Sequence, residues 1–419
     1  MTSTSSETKE LDAAPKLDAS MVRTTRERTK GQIIVTPTLN RPALSQLLGC
    51  EVFVKYENMQ HTGAFKARGA IAKLTTLTDA QKKAGVIAMS AGNHAQGVAF
   101  HAKRLGIPAT IVMPKGTPFN KTRKTSDYGG NVVLEGENFT EASAAAQRMA
   151  KERGLTLIHP YDDAEVISGQ GVIGYEMLEA VPDLDVIIVP VGGGGLIAGI
   201  ALAAKDIKPS IEVIGVEPEL YPSMINALTR GNRPCTGATV AEGIAVRDVG
   251  TLSIPIVKAL VKETLTVSET NIERGISIYA TMVKTVAEGA GAAPLAVLLE
   301  YPDKFKGRKV GLVLSGGNID ARMLSSVLMR DLVRVGQVLT LSIEMPDRPG
   351  SLHAIAGICA ELGANVLEIS HGRFALDLSA NAARLGITIE TRDSAHAQQV
   401  MDRIRAAGFT LTIRDPNET

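Results

Sequence analysis

A lysine that works as a neutral amine needs surroundings that disfavour its charge. Lys66 is placed for this. It lies in the run Thr62-Gly63-Ala64-Phe65-Lys66-Ala67-Arg68-Gly69, after a short apolar strand at 52–56 and a polar turn at Gly63. A helix is expected to start near Phe65. Lys66 then falls in the first helical turn, where the macrodipole opposes an ammonium and lowers its pKa. Solvated surface lysines are far commoner than working amines. Lys66 gains weight from three further segments that suit anions and directed hydrogen bonds.

The first is Gly192, Gly193, Gly194 and Gly195, set between an apolar strand and a helix that opens near Leu196. Without Cβ atoms the backbone N–H groups can approach a ligand closely. The helix end adds partial positive charge, so the loop suits a phosphate. No Lys-Ser/Thr pair follows, which excludes a Walker loop, and Ile197 breaks the dinucleotide spacing. A tight structural turn would need one glycine, not four. The second segment is Ser90, Ala91, Gly92, Asn93 and His94, again opening a helix. Its N–H groups suit a carboxylate, and Asn93 and His94 add directed polar side chains. The third is Ser315-Gly316-Gly317-Asn318, with a hydroxyl at a strand end. Each alone reads as easily as an N-cap or a turn.

The surrounding elements alternate. Strands are expected at 52–56, 85–89, 109–113, 131–134, 155–158, 186–191, 212–217 and 310–314. Helices are expected at 65–74, 94–105, 139–153, 169–181, 196–205, 271–288, 289–300 and 322–332. Such alternation argues for an α/β fold with a mostly parallel, doubly wound sheet. Ligands of such sheets sit at the carboxyl ends of strands, where all three segments lie. Beyond Gly336 the pattern becomes βαββαβ over 338–414, the size of a small independent domain. The expected division is a disordered tail at 1–23, a catalytic region at 24–332, a linker at 333–337 and a C-terminal domain at 338–419.

Composition narrows the class. The 419 residues are 44% apolar, with 45 Lys and Arg against 44 Asp and Glu. That balance gives no electrostatic case for nucleic acid or an anionic membrane, and Trp is absent. Cys50, Cys235 and Cys359 show no paired spacing, so reduced thiols in a cytoplasmic protein are expected. No apolar leader is visible at the N-terminus. The uncharged stretch 186–204 is long enough to span a bilayer, but Pro190 and the four glycines divide it into a buried strand and a buried helix.

Lys66 and the three segments, in this order, resemble the threonine dehydratases (threonine ammonia-lyases), pyridoxal 5′-phosphate enzymes of the tryptophan-synthase-β-like fold type II. The resemblance covers 24–332, roughly three quarters of the chain. It implies a catalytic region of two subdomains. It implies that Lys66 holds the cofactor as a Schiff base and later moves the α-proton. Gly192, Gly193, Gly194, Gly195 and Leu196 would bind the phosphate, Asn93 the phenolic oxygen, and Ser315 the pyridine nitrogen, with Phe65 behind the ring. Ser90, Ala91, Asn93 and His94 would take the substrate carboxylate. A neutral Ser315 leaves the ring a weaker electron sink, which favours elimination.

Two departures separate the chain from the serine racemases of the same family. Ala91 stands where they carry an acid/base serine, so a one-base site is expected to racemise poorly. Ser223 stands where their cation site has an aspartate beside Glu217, so no metal is expected. The 338–419 unit resembles an ACT domain, most clearly at Asp347-Arg348-Pro349-Gly350-Ser351-Leu352. Asp347, Gly350 and Leu352 are its expected effector residues, for isoleucine or valine; a purely dimerising domain is the alternative. The implied activity is conversion of L-threonine to 2-oxobutanoate and ammonia, and of L-serine to pyruvate, in a homodimer or homotetramer. A serine or 3-hydroxyaspartate dehydratase, a serine racemase and a non-catalytic amino-acid sensor are the rivals. Isoleucine biosynthesis and threonine catabolism are both compatible.

Overall fold

The computed structural model describes residues 17–373, 378–379 and 381–414. The chain forms two compact units, one up to Ile319 and one from Asp320.

The first unit holds two sheets. The larger has six strands, in the order Thr38–Asn40, Glu51–Tyr56, Lys309–Leu314, Val186–Pro190, Glu212–Pro218 and Glu263–Val267. All its pairs are parallel except the edge pair Thr38–Asn40 with Glu51–Tyr56. The smaller has four parallel strands, ordered Asn131–Leu134, Ala109–Met113, Val86–Met89 and Thr156–Leu157. The expected doubly wound sheet is thus divided in two. Val186–Pro190 is buried at every position, as a strand covered on both faces must be. The uncharged stretch 186–204 is this strand followed by the helix Gly195–Ile207, and no helix among the described residues is long and apolar enough to cross a membrane.

Three boundaries differ from expectation. The tail does not run to residue 23. Asp18 accepts hydrogen bonds from the Ser20 and Met21 N–H groups and caps the helix Ala19–Thr29, whose Val22, Thr25 and Thr29 are buried; residues 1–16 lie outside the described residues. Nor is 271–288 one helix. Glu269–Ile278 passes into a π-helical turn, Tyr279–Val283, and Lys284 takes φ +60°, which ends it. Asn58 fixes the released segment by donating to Thr285 Oγ1 (2.7 Å) and the Val286 carbonyl (2.9 Å). Last, the helix Ala321–Arg334 groups with the C-terminal unit, not with the catalytic part, and residues 333–334 are helical rather than linker.

The second unit carries the expected βαββαβ order. Its four antiparallel strands lie in the order Asn365–Gly372, Ala382–Glu390, Val338–Pro346 and Thr410–Arg414. Leu341, Ile343, Leu385, Ile387 and Ile389 alternate with polar residues and form its core with Ile355, Val400 and Ile404 of the helices. Gly350, at φ +94°, turns the chain into the helix Ser351–Leu362, which has no side-chain cap. Asp347 pairs there with Arg373 at 3.2 Å, and Leu352 is exposed.

Candidate active site

Lys66 is the first residue of the helix Lys66–Leu74, as expected. The turn before it is stitched to the Ser315 segment. Phe65 N–H donates to the Ser315 carbonyl (3.0 Å), and Gly317 N–H to the Gly63 carbonyl (3.0 Å). The lysine Nζ donates to the Pro160 carbonyl at 2.7 Å and lies 5.1 Å from the Phe65 ring centroid. Burial lowers its pKa to about 8, against the opposing pull of Glu288.

The Lys66 helix is further held from within the protein. Arg68 is fully buried. Its guanidinium makes paired hydrogen bonds to Glu57 (2.7 and 2.8 Å) and to Glu176 (2.7 and 2.8 Å). Lys55, also fully buried, donates to Glu176 (2.5 Å) and to the Thr36 carbonyl (2.6 Å). Two cations and two carboxylates therefore close a neutral cluster beneath the lysine.

Three helices open onto this region without a side-chain cap: Lys66–Leu74, Asn93–Arg104 and Gly195–Ile207. At Asn93–Arg104 and Gly195–Ile207 the first turn has no side-chain oxygen partner, which suits anions, whereas at Lys66–Leu74 the Ala67 and Arg68 N–H groups donate to the Ala64 and Phe65 carbonyls. Gly194 holds φ +89°, and the segment His159–Asp162 packs over the loop. A Cβ on Gly193 would meet the Tyr161 ring at 2.2 Å, and one on Gly195 the Tyr161 carbonyl at 2.7 Å. The loop is braced from behind, because Ser253 Oγ (3.0 Å) and Gly250 N–H (2.9 Å) both donate to the Gly193 carbonyl. Gly195→Ala is expected to cost about 1–3 kcal/mol through this clash. Denaturant unfolding of the apo-protein would measure the loss, and cofactor titration should show weaker capture.

Asn93 sits at the centre of the polar contacts. Its Nδ2 donates to Glu288 (2.7 Å), and its Oδ1 accepts from Asn318 (2.8 Å). Glu288 N–H in turn donates to the Gly316 carbonyl (3.0 Å), and burial pushes the Glu288 carboxyl up to about 7. Ser90 Oγ accepts from Gly92 N–H (3.1 Å), which shapes the loop before the helix Asn93–Arg104, while Ala91 packs against the small-sheet core. Ser315 is buried at the end of its strand. His94 departs from expectation. Its ring is 2% exposed and bonded to the Ile158 carbonyl (2.8 Å), so the loop gains its backbone there and not a directed side chain. Burial, then the Lys66 charge, lowers its pKa to about 3 and keeps it neutral.

Glu217 is explained by capping. Its oxygens accept the Met224 (2.6 Å) and Ile225 (3.1 Å) N–H groups at the start of the helix Ser223–Thr229. Among the described residues no cluster of three or more His, Cys, Asp or Glu is placed to hold a metal. Glu288, Tyr161 and Gln170 were not singled out by the sequence, and Asn318 was named only as the end of the Ser315 segment, with no role of its own. The split of 271–288 alone would have exposed Glu288 as a candidate.

Pyridoxal 5′-phosphate fits these residues. The glycine loop with its uncapped helix suits the phosphate, and an amine neutralised by burial suits an aldehyde. Gln170 is fully buried beside Gly195, and among the described residues neither of its amide atoms has a partner, which marks a polar place built for more than packing.

Comparison with known proteins agrees. Residues 29–316 match the pyridoxal-phosphate dependent enzyme family, and residues 339–409 match the ACT domain. The chain is 45% identical over 372 residues to an L-threonine ammonia-lyase of Thermotoga maritima, spanning 88% of this chain and 92% of the relative. It is 42% identical over 400 residues to an L-threonine ammonia-lyase of Geobacter sulfurreducens, spanning 95% and 99%. The solved structure of maize serine racemase superposes with a TM-score of 0.70 at 35% identity, over 76% of this chain and 98% of that one. With its lysine and glycine loop inside the first matched region and most of its C-terminal sheet inside the second, the chain belongs to the pyridoxal-phosphate dependent enzymes of fold type II and carries an ACT domain.

Proposed function

We propose that this protein deaminates L-threonine to 2-oxobutanoate and ammonia, by loss of water across Cα–Cβ followed by hydrolysis that restores it. L-Serine gives pyruvate by the same route. The observation that carries this reading is Lys66, a largely enclosed amine lowered to about 8, at the meeting point of three uncapped helix ends. The high identity to two L-threonine ammonia-lyases supports the substrate.

The bound cofactor supplies an electron sink at the substrate α-carbon. Lys66 takes the α-proton, and its lowered pKa leaves about a tenth of it neutral at pH 7, against far less for an ordinary lysine. Ser90 to His94 hold the α-carboxylate on backbone N–H groups. Gly192 to Leu196 hold the phosphate. Asn93 donates towards the phenolic oxygen, and Ser315 offers a neutral hydroxyl to the ring nitrogen. Ala91 provides no acid or base on the opposite face, which separates this site from a racemase.

The ACT domain is assigned to an amino-acid effector, isoleucine or valine, taken at Asp347, Gly350 and Leu352 beside the uncapped helix Ser351–Leu362. Three free cysteines fit a reducing, cytoplasmic setting, and a homodimer or homotetramer would pair ACT domains. The test is kcat/KM for L-threonine, L-serine and 3-hydroxyaspartate, with and without isoleucine, valine and AMP. Threonine is expected to lead, and an effector to shift its affinity roughly 5–150-fold. A lead for 3-hydroxyaspartate, or racemisation of serine faster than its deamination, would overturn the assignment.

A further inference from the structure

One chain of hydrogen bonds crosses the site and starts outside it. Lys124 lies on the helix Phe119–Asp127, which belongs to the half of the first unit that carries the small sheet. Its Nζ donates to Asn318 Oδ1 at 2.5 Å. Asn318 Nδ2 donates to Asn93 Oδ1 (2.8 Å) and to the Thr62 carbonyl (2.7 Å). Asn93 Nδ2 donates to Glu288 Oε1 (2.7 Å). Each link runs from N–H to oxygen in the same direction.

The direction follows from chemistry. An ammonium only donates, and a backbone carbonyl only accepts. Lys124 therefore requires the oxygen of Asn318, and the Thr62 carbonyl requires its nitrogen. Asn318 can then offer Asn93 only a donor. Asn93 must meet it with Oδ1, and its Nδ2 is turned the other way, to Glu288 and the region of Lys66. The second N–H on that nitrogen remains for a ligand. A flip of either carboxamide would place donor against donor at a cost of about 1–3 kcal/mol. The Thr62 end is itself fixed, since Thr62 holds φ +62°, a position that β-branched residues avoid.

We propose that Lys124 is a positioning residue for the cofactor, acting through Asn318 to hold Asn93 as a hydrogen-bond donor. The proposal rests on the reading that Asn93 meets the phenolic oxygen. The same helix makes a second tie, Lys121 to Glu242 at 2.6 Å, which does not reach Asn318 or Asn93 and is not part of the chain. Lys124 touches no reacting atom in this account. Its effect is to restrict which face of one amide the crevice sees.

The experiment compares the holoenzyme with Lys124→Met, Lys124→Arg and Asn93→Ala. The readouts are the position and pH midpoint of the visible absorbance band, the cofactor dissociation constant, and kcat and KM for threonine. Lys124→Met is expected to shift the band midpoint and to weaken cofactor binding about fivefold, the equivalent of one net hydrogen bond. Lys124→Arg keeps a donor-only cation and is expected to restore both within about twofold. Asn93→Ala is expected to shift the band further. A wild-type band and affinity in Lys124→Met, while Asn93→Ala shifts both, would overturn the role of Lys124 alone. An unchanged band in Asn93→Ala would overturn the underlying reading of Asn93 as well. A lowered melting temperature in Lys124→Met with an unchanged band would mark a purely structural tie and also defeat the proposal.

Discussion

Lys66→Ala is expected to yield a folded protein that turns over threonine about 10⁴-fold more slowly or worse. Two losses combine: the covalent tether for the cofactor, and the group that moves the α-proton, the latter alone being worth about 10²–10⁴-fold. Stability should change little, since among the described residues the one hydrogen bond Nζ makes is to the Pro160 carbonyl, which faces the same crevice. Borohydride reduction of the wild-type holoenzyme followed by peptide mapping should place the pyridoxyl group on Lys66. A label on any other lysine would sink the assignment. The pH dependence gives an independent check. Capture of cofactor by apo-protein needs the neutral amine. Because burial lowers the Lys66 pKa to about 8, the capture rate should rise about tenfold per pH unit below 8 and level off above it. An unburied lysine would keep rising towards its ordinary value near 10.4. Stopped-flow absorbance on apo-protein distinguishes the two profiles.

Much of the site was legible because it is written in local signals. Four consecutive glycines, a lysine at a helix start and a polar run after each of two apolar strands all report on backbone needs within a few residues. What escaped was held by contacts distant in sequence. Glu288 lay hidden inside an apparently continuous helical pattern, since no Gly or Pro occurs between Tyr279 and Glu288. The break is imposed by Asn58, over two hundred positions away in the chain. His94 shows the opposite error. Its type suggested a directed polar contact in the crevice, and only the fold reveals that the Ile158 carbonyl takes its ring. The tail boundary was readable but outweighed. Asp18 followed by Val22, Thr25 and Thr29 at spacings of three and four is a capped helix with a buried stripe, set directly after a polar stretch that reads as disordered. In the C-terminal unit, alternation is clearest in Ala382–Glu390, and the βαββαβ order emerged with shifts of a few residues at element ends.

Arg68→Met is expected to destabilise the protein by about 3–5 kcal/mol, although Arg68 touches no ligand in this reading. The reason is the closed cluster under the Lys66 helix. Arg68 has 0% exposure and binds Glu57 and Glu176 with both faces of its fork. Burial alone would lower its pKa, but the two carboxylates carry it above the ordinary arginine range, so it stays charged. Without the guanidinium, Lys55 still hydrogen-bonds Glu176, whereas the hydrogen-bond donor left to Glu57 among the described residues is the neutral Thr36 Oγ1, with the Lys55 charge acting only from a distance. A buried carboxylate left in that state must either protonate or draw in water, and both loosen the turn at Glu57–Met59 that precedes Lys66. Arg68→Lys should recover only part of the loss, because one ammonium cannot replace a fork that serves two carboxylates. Denaturant midpoints for Arg68→Met, Arg68→Lys and wild type would measure the effect, and cofactor affinity should fall with stability, since Arg68 lies two residues beyond the lysine on the same first helical turn. A Met variant within 1 kcal/mol of wild type would mean that the cluster is replaceable by apolar packing, as some buried ion pairs are, and that Lys66 is positioned by its ties to Ser315 and Gly317 alone.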